Sequence, residues 1–500
     1  IASAKSLTTR QDFSIGIGRS VARVIEDAKA LASDIGLVSL STTLATNALV
    51  EGQGGRICLV LIGFDEDALN RNGLRDALKG DPVIFLAGGH NGQGEALCPL
   101  AEEKLTAELD ALGERVSAFA IAGLFAIRNP EHELRARDII LSHSANSVTC
   151  SHELSSKLDG PRRALTSVLN ARLINMIHHL ITSSEALFGE MGIEAPLMVV
   201  QGDGALIAAE VAKIKPIETI LSGPAASLVG AAYLSREQSA IISDIGGTTT
   251  DVAILEDGSP RLDPDGATVG GWRTMVEAVA IYTVGLGGDS EVAAVKSGME
   301  LALSLGPRRL VPVSLLATDY PDLVHSVLDS QLGRDRQQEN YGCFALAVGR
   351  DSTHLETFGE MEQQLLDALK DGPQPLEKLL LRRRQHNALE RLVSSGLVMI
   401  SGLTPSDAAH ILGLHDAWDR EAAEKAATLF TRNRDVKGHA IAASARDLAG
   451  LIMEAVVMRS SETLLEAALA KDPLPGRDAG TLLKAAAVSG HHPYVNMEVA

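Results

Sequence analysis

The chain has 500 residues, a formal net charge of −19, 45% apolar residues and 3% aromatic residues. That length exceeds what one core organises and predicts about two to four domains, with cores of Ala, Val, Ile and Leu. The negative charge is spread along the chain instead of gathered in a tail, which disfavours a nucleic-acid backbone as partner.

Residues 14 to 35 carry helical spacing through Ile17, Val21, Val24, Ile25, Ala28 and Leu31. The stretch VSLSTTLATNALVEGQGGRICLVLIGF then reads as strand, threonine-rich turn, helix, glycine turn and strand, which is α/β material. VSAFAIAGLFAI at 116–127 predicts a buried strand, and Pro130 opens the helix that follows, with acids in its first turn. Residues 161–192 predict a long helix, 196–200 a strand, and the glycine-rich turn at 222–224 opens an alanine-rich helix. The run SEVAAVKSGM after Asp289 reads as a helix that this aspartate would cap. Beyond about residue 345 the chain turns mostly helical, with DGPQP at 371–375 read as a linker. The stretch 371–414 has the helix, turn, strand, helix rhythm of a winged-helix-like module, and its basic run LRRRQ is offset by neighbouring acids.

Cys58, Cys98, Cys150 and Cys343 are far apart and form no C-x-x-C pair, so neither a disulfide framework nor a cysteine zinc site is expected. No window has the length of a membrane helix and the opening IASAKSLTTR lacks a signal-peptide core, which together read as a cytoplasmic protein without a membrane partner. His178-His179 and His491-His492 are adjacent pairs, and neighbouring helical residues diverge, so neither has the spacing of a helical metal site. His90, in the glycine-rich AGGHNGQGE, is read as a loop histidine.

The stretch IISDIGGTTTDVAIL at 241–255 carries the strongest chemical signal. Its flanks read as two strands, so the polar run is the turn between them. A hairpin needs only Gly246 and Gly247; it does not need Asp244, Thr248, Thr249, Thr250 and Asp251 as well. Glycines let backbone N–H groups turn toward an anion, hydroxyls add donors, and aspartates suit a hydrated magnesium ion beside phosphates. The reading is a phosphate-binding hairpin.

STTLATNALVEGQGGRICLVLIGFD (41–65), RNPEHE (128–133), QGDGALI (201–207), TILSGPAASLVGAA (219–232), SDIGGTTTDVAIL (243–255) and TVGLGGDS (283–290) occur in the order seen in the hydantoinase/oxoprolinase family, which this chain resembles over about residues 1–290. LTPSDAAHILGL at 403–414 is a weaker echo. The resemblance implies an α/β fold of the actin-like ATPase (ribonuclease H-like) type, two-lobed, with a helical C-terminal region. The expected divisions are 1–165 as an N-terminal lobe, 166–345 as a second lobe holding the hairpin, and 346–500 as the helical region. The family opens with a first phosphate hairpin similar to 244–251, and this chain starts at a position that would follow it; either the sequence is a piece or that half of the site is degenerate.

The implied activity is ATP-dependent hydrolysis of a cyclic amide such as a hydantoin or oxoproline, with ATP and Mg²⁺ as cofactors. Asp244 and Asp251 are the implied magnesium and catalytic carboxylates, Asp203 a candidate base, and Gly246, Gly247, Thr248, Thr249 and Thr250 the phosphate cradle. Gly223, Gly287 and Gly288 would let backbone approach the nucleotide, and Thr42, Thr43, Thr46 and Asn47 would face the substrate. Asp289 stands where the family has glycine and is read either as a metal ligand or as a helix cap. Ala226 and Ser227 also depart from the pattern, and the chain end KAAAVSGHHPYVNMEVA does not match the expected adenosine-side glycine motif. A second, hydantoinase B-like subunit and an oligomeric assembly are implied as well. Two other classes stay open, an actin-like ATPase that switches a partner protein, and a non-catalytic or carboxylase-type subunit.

Overall fold

Two apolar runs, ICLVLI and AFAIAG, organise the first half of the chain. In the computed structural model, which describes residues 2–6, 13–50, 54–113, 115–298, 300–335, 338, 340–348 and 359–471, both runs are strands in which every residue is buried. A strand buried on both faces needs no polar alternation and belongs in a parallel sheet covered by helices. Contacts divide the chain into two units, 1–242 with 253–280, and 243–252 with 281–500.

In the first unit, α1 (Phe13–Ala28), β1 (Val38–Leu40) and α2 (Leu44–Val50) precede the central sheet. That sheet comprises β2 (Ile57–Ile62), β3 (Val83–Leu86), β4 (Ala118–Gly123) and β5 (Ser147–Cys150). Its order is β3-β2-β4-β5, and every pairing is parallel. Helices α3 (Glu102–Leu112) and α4 (Glu131–His143) cover the face formed by Cys58, Val60, Ile62, Phe119 and Ile121. The opposite face, Ile57, Leu59, Leu61, Ala118, Ala120 and Ala122, packs on α5 (Gly160–Glu190). The alternation follows from the two-residue period of a strand. Each large apolar side chain so buried contributes about 1.5–3 kcal/mol. The boundary expected at residue 165 falls inside α5, which runs unbroken through Leu165 and Thr166, both fully buried.

Buried polar groups fix the end of β4. Glu133 accepts from the Gly123 amide (2.6 Å), the Ser151 hydroxyl (2.6 Å) and the His152 amide (3.1 Å), and it also pairs with the His152 ring. Buried Arg163 donates to the Gly123 carbonyl at 3.0 Å. A second, smaller sheet pairs β1 with β6 (Leu197–Val200), and β6 with β7 (Leu206–Ala208). Then α6 (Ser222–Ser235) leads to the hairpin of β8 (Ala240–Ile245) and β9 (Thr250–Glu256).

The second unit takes in residues 243–252 of that hairpin and resumes at β10 (Ile281–Val284), which neighbours β9. It continues as an antiparallel hairpin of β11 (Ser290–Ser297) and β12 (Glu300–Arg309). The run SEVAAVKSGM is therefore a strand and its turn, not a helix. Its alanines favour helix in isolation, but the ladder to LALSL, whose leucines alternate with small residues, decides the outcome. A further sheet sets β13 (Val311–Pro312) and β14 (Phe344–Ala347) on either side of a strand at Val398–Gly402, with Gln374–Pro375 at the edge beyond β14. DGPQP thus supplies an edge strand, a position proline tolerates, and is not a free linker. Around this sheet pack Val313–Asp319, Pro321–Leu332, Arg383–Ser394, Pro405–Leu412, Arg420–Phe430 and the long helix Ala445–Lys471. Among the described residues no helix is long and apolar enough to cross a membrane.

Candidate functional site

The hairpin between β8 and β9 closes on one backbone bond, from the Gly246 amide to the Thr249 carbonyl (2.9 Å). Gly247 and Thr248 form its exposed tip, and among the described residues neither of their N–H groups has a protein acceptor. Two free amides beside a threonine hydroxyl are donors of the kind an anion takes. Thr250 plays a different part: it is buried, and its hydroxyl donates to the Leu286 carbonyl at 2.8 Å. Asp251 accepts from the Thr283 hydroxyl at 2.6 Å. Burial raises the Asp251 carboxyl above its ordinary range, hydrogen bonds from Thr283 and Thr249 oppose this, and the charge of Asp244 adds to it. Asp244 itself is exposed. The charge of Asp244 disfavours the ionised form of Asp251, a repulsion that a cation near both would relieve.

The loop at 287–289 holds this tip from the side. The Gly288 amide donates to the Gly246 carbonyl (3.0 Å) and the Asp289 amide to the Gly247 carbonyl (2.7 Å). A Cβ at Gly287 would lie 2.4 Å from the Gly247 carbonyl carbon and oxygen, so glycine is needed there for backbone to meet backbone. The close approach expected of Gly287 and Gly288 is thus made to the hairpin. Asp289 caps no helix, because the chain continues as β11. Its carboxylate pairs with the Arg309 guanidinium (3.1 Å); burial raises it and Arg309 opposes the rise.

A further layer was not legible in the sequence. The Ser406 amide donates to the Gly288 carbonyl at 2.8 Å, placing the start of the helix Pro405–Leu412 behind the 287–289 loop. That start is fixed by Asp407, which is fully buried and accepts from Thr404 N–H and hydroxyl, Ser314 N–H and hydroxyl, and Val313 N–H. The T-P-S-D capping box was a visible signal for the helix; its contact with a loop over a hundred residues away was not.

In the first unit, the threonine turn and the 222–224 turn come together. The Thr42 amide donates to the Ser222 hydroxyl (3.2 Å), and that hydroxyl donates to the Thr42 carbonyl (2.9 Å). Thr46 accepts from the Leu221 amide at 3.0 Å, Asn47 reaches the Thr43 hydroxyl at 3.4 Å, and a Cβ at Gly223 would meet Thr43 Cγ2 at 3.2 Å. Asp203 accepts from the Ala205 amide (2.8 Å) inside its own turn. His90 is buried, its ring tilted against that of His132 with centroids 4.4 Å apart, and its Nε2 has no partner among the described residues. His178 and His179 are exposed on α5. His491-His492 and the chain end at 484–500 lie outside the described residues. Ligand atoms of Glu133, Cys150 and His152 lie within 4.8 Å of one another, but the carboxylate is already occupied by protein donors, and burial raises the Cys150 thiol far from ionisation.

Residues 1–144 match the model of the hydantoinase/oxoprolinase N-terminal region, and residues 163–311 match the hydantoinase/oxoprolinase model. The chain belongs to the hydantoinase/oxoprolinase family. It is 28% identical over 343 residues to the acetophenone carboxylase gamma subunit of Aromatoleum aromaticum, covering 61% of this chain and 46% of that protein. It is 28% identical over 312 residues to the caprolactamase subunit alpha of Pseudomonas jessenii, covering 58% and 43%. The crystal structure of the ATP-dependent caprolactamase from Pseudomonas jessenii superposes with a TM-score of 0.59 at 22% identity, over 93% of this chain and 59% of that one. This family member has their mixed α/β fold, consistent with the actin-like ATPase type. The chain spans less than half the length of the two curated relatives.

Proposed function

We propose that this family member forms the nucleotide-using part of an ATP-dependent hydrolase acting on a cyclic amide of the hydantoin, oxoproline or lactam kind. The observation that carries the reading is the hairpin tip, where the amides of Gly247 and Thr248 stand without protein acceptors beside the carboxylates of Asp244 and Asp251. A phosphate group fits the amides, and a magnesium ion fits the carboxylates, whose mutual repulsion it would relieve. A cyclic amide resists water because its carbonyl is resonance-stabilised; ATP supplies a phosphoryl group to the carbonyl oxygen, leaving an electrophilic carbon and a good leaving group.

What the chain contributes is position and charge. Gly247 and Thr248 would hold the phosphate, and Asp244 and Asp251 would hold the magnesium ion that neutralises its charge. Thr283 orients Asp251, while Gly287 and Gly288 keep the tip from moving. Thr42, Thr43, Thr46 and Asn47, gathered against Gly223, are the proposed substrate side, although most of their polar groups already serve the turn. Asp203 serves its own turn, which leaves it a weak base candidate. The relatives' names as subunits support a second, hydantoinase B-like subunit and an oligomer; the proposed location is the cytoplasm. The similarity to a ketone carboxylase subunit favours one alternative, a carboxylase-type subunit. Measuring ATP turnover by the full chain with a panel of hydantoins, oxoproline and lactams, with and without bicarbonate, separates the two. Amide-stimulated turnover independent of bicarbonate supports hydrolysis, and turnover unaffected by any cyclic amide sinks it.

A further inference from the structure

The parallel sheet of the first unit has a feature that the hairpin chemistry leaves unused. Numbered by their own sequence, its strands run in the order 2-1-3-4, since β3 lies on one side of β2 while β4 and β5 lie on the other. The connections therefore leave β2 and β4 in opposite directions, and a crevice opens between the carboxyl ends of these two strands. Such switch points are where open α/β sheets bind ligands. A cavity of about 810 Å³ lies there, lined by Gly63, Phe64 and Asp65 after β2, Leu124 after β4, Arg71, and Gly160 at the start of α5.

The lining is polar in a particular way. The N–H groups of Phe64, Asp65 and Gly160 have no protein acceptor among the described residues. Arg71 is exposed and has no carboxylate within ion-pair distance among them. The positive end of the 31-residue helix α5 faces the same cavity. On the other side of the balance stand two acids. Asp159 is occupied, capping the Arg162 amide at 3.2 Å and accepting from Asn72 at 3.2 Å. The Asp65 carboxylate takes no hydrogen bond from the described residues, although it precedes a short helix it could cap. Phe64 adds a ring, which can lie against the start of α5 only because residue 160 is glycine: a Cβ there would be 2.4 Å from Phe64 Cζ.

We propose that this switch-point cavity is a second ligand site, separate from the phosphate hairpin, and that it takes a phosphorylated, hydroxyl-bearing molecule of mononucleotide size. The phosphate would sit on the free amides and Arg71, a sugar diol on Asp65, and a ring on Phe64. Donors, a free guanidinium and an unpaired carboxylate in one crevice match a sugar phosphate with its acceptor and donor ends apart. The volume lies within the range of small-ligand sites and is generous for a bare inorganic anion.

Isothermal titration of the full chain with AMP tests this, with ribose 5-phosphate as competitor. Arg71→Ala and Asp65→Asn change exposed side chains that hold nothing else together, and Thr248→Ala changes only the hairpin. The site predicts that AMP binds, that ribose 5-phosphate displaces it, that each cavity variant weakens it about tenfold, and that Thr248→Ala leaves this binding unchanged. No AMP binding to the unaltered chain, equal affinity in Arg71→Ala and Asp65→Asn, or loss of AMP in Thr248→Ala would each overturn it. Because the hairpin variant is read in the same experiment, failure here is distinguishable from failure of the ATP assignment.

Discussion

Replacing Gly287 with alanine should loosen the hairpin between β8 and β9 without unfolding the chain. The new Cβ would stand 2.4 Å from the Gly247 carbonyl carbon and oxygen and 2.6 Å from the Gly246 oxygen, all of them backbone atoms that cannot rotate away. The loop must therefore withdraw, stretching the bonds from Gly288 to Gly246 and from Asp289 to Gly247. Overpacking costs about 1–3 kcal/mol and each of the two bonds lost about 0.5–1.5 kcal/mol, so local opening should become easier by about 2–6 kcal/mol. That is about 30-fold or more in the opening equilibrium. Hydrogen exchange followed by mass spectrometry reads it as faster exchange in peptides covering 244–252, and calorimetry reads it as weaker ATP binding. Gly230→Ala is the control, since nothing lies within 4 Å of its Cβ position and it sits inside a helix, where alanine is favoured by about 1 kcal/mol. Unchanged exchange and unchanged ATP affinity in Gly287→Ala would refute the packing argument.

Other expectations follow from individual groups. Asp251 has its folded pKa raised by burial, so the folded state binds the proton more tightly and stability falls as pH rises through the window above the ordinary carboxylate value of about 4. Asp251→Asn keeps the Thr283 hydrogen bond, so it should flatten that part of the melting-temperature profile and stabilise the protein at neutral pH, while weakening Mg-ATP binding in titration calorimetry. Asp407→Asn presents an N–H₂ group to donors from Val313, Ser314 and Thr404; we expect a loss of about 3 kcal/mol in denaturant unfolding. Arg309→Ala strips Asp289 of its cation, and we expect a lower melting temperature at neutral pH that recovers on acidification as the carboxylate takes up a proton.

Much of the first unit was legible because its residues state their period. Ile57–Ile62 and Ala118–Gly123 are unbroken apolar runs, and Pro130 marks the start of the helix after it. The long helix expected over 161–192 is found at Gly160–Glu190, and the hairpin glycines lie between the two strands expected for them. The run 290–299 was misread because its alanines favour helix when viewed alone. The signal lay downstream, in the alternation of Leu301, Leu303 and Leu305 across the turn at Gly298, whose φ is +65°. Pro375 misled in the opposite direction, since a proline can end a sheet as readily as it can break one. Two features of the site had no local signature at all. Arg309 reaches Asp289 only because β11 and β12 pair, and Ser406 reaches Gly288 only because the second unit's core folds them together. Sequence spacing names a turn by its residues but does not say what supports it from behind.

The most direct measurement is titration calorimetry of Mg-ATP against the full chain and its Asp244→Ala and Thr248→Ala variants. Both side chains are exposed at or beside the hairpin tip, so neither change should disturb the fold. If the tip holds phosphate and its ion, ATP binds the unaltered chain and each variant binds at least about tenfold more weakly, the equivalent of one charge-assisted contact. Equal Mg-ATP affinity in all three proteins, with melting temperatures also equal, would contradict the assignment of the hairpin as the nucleotide site.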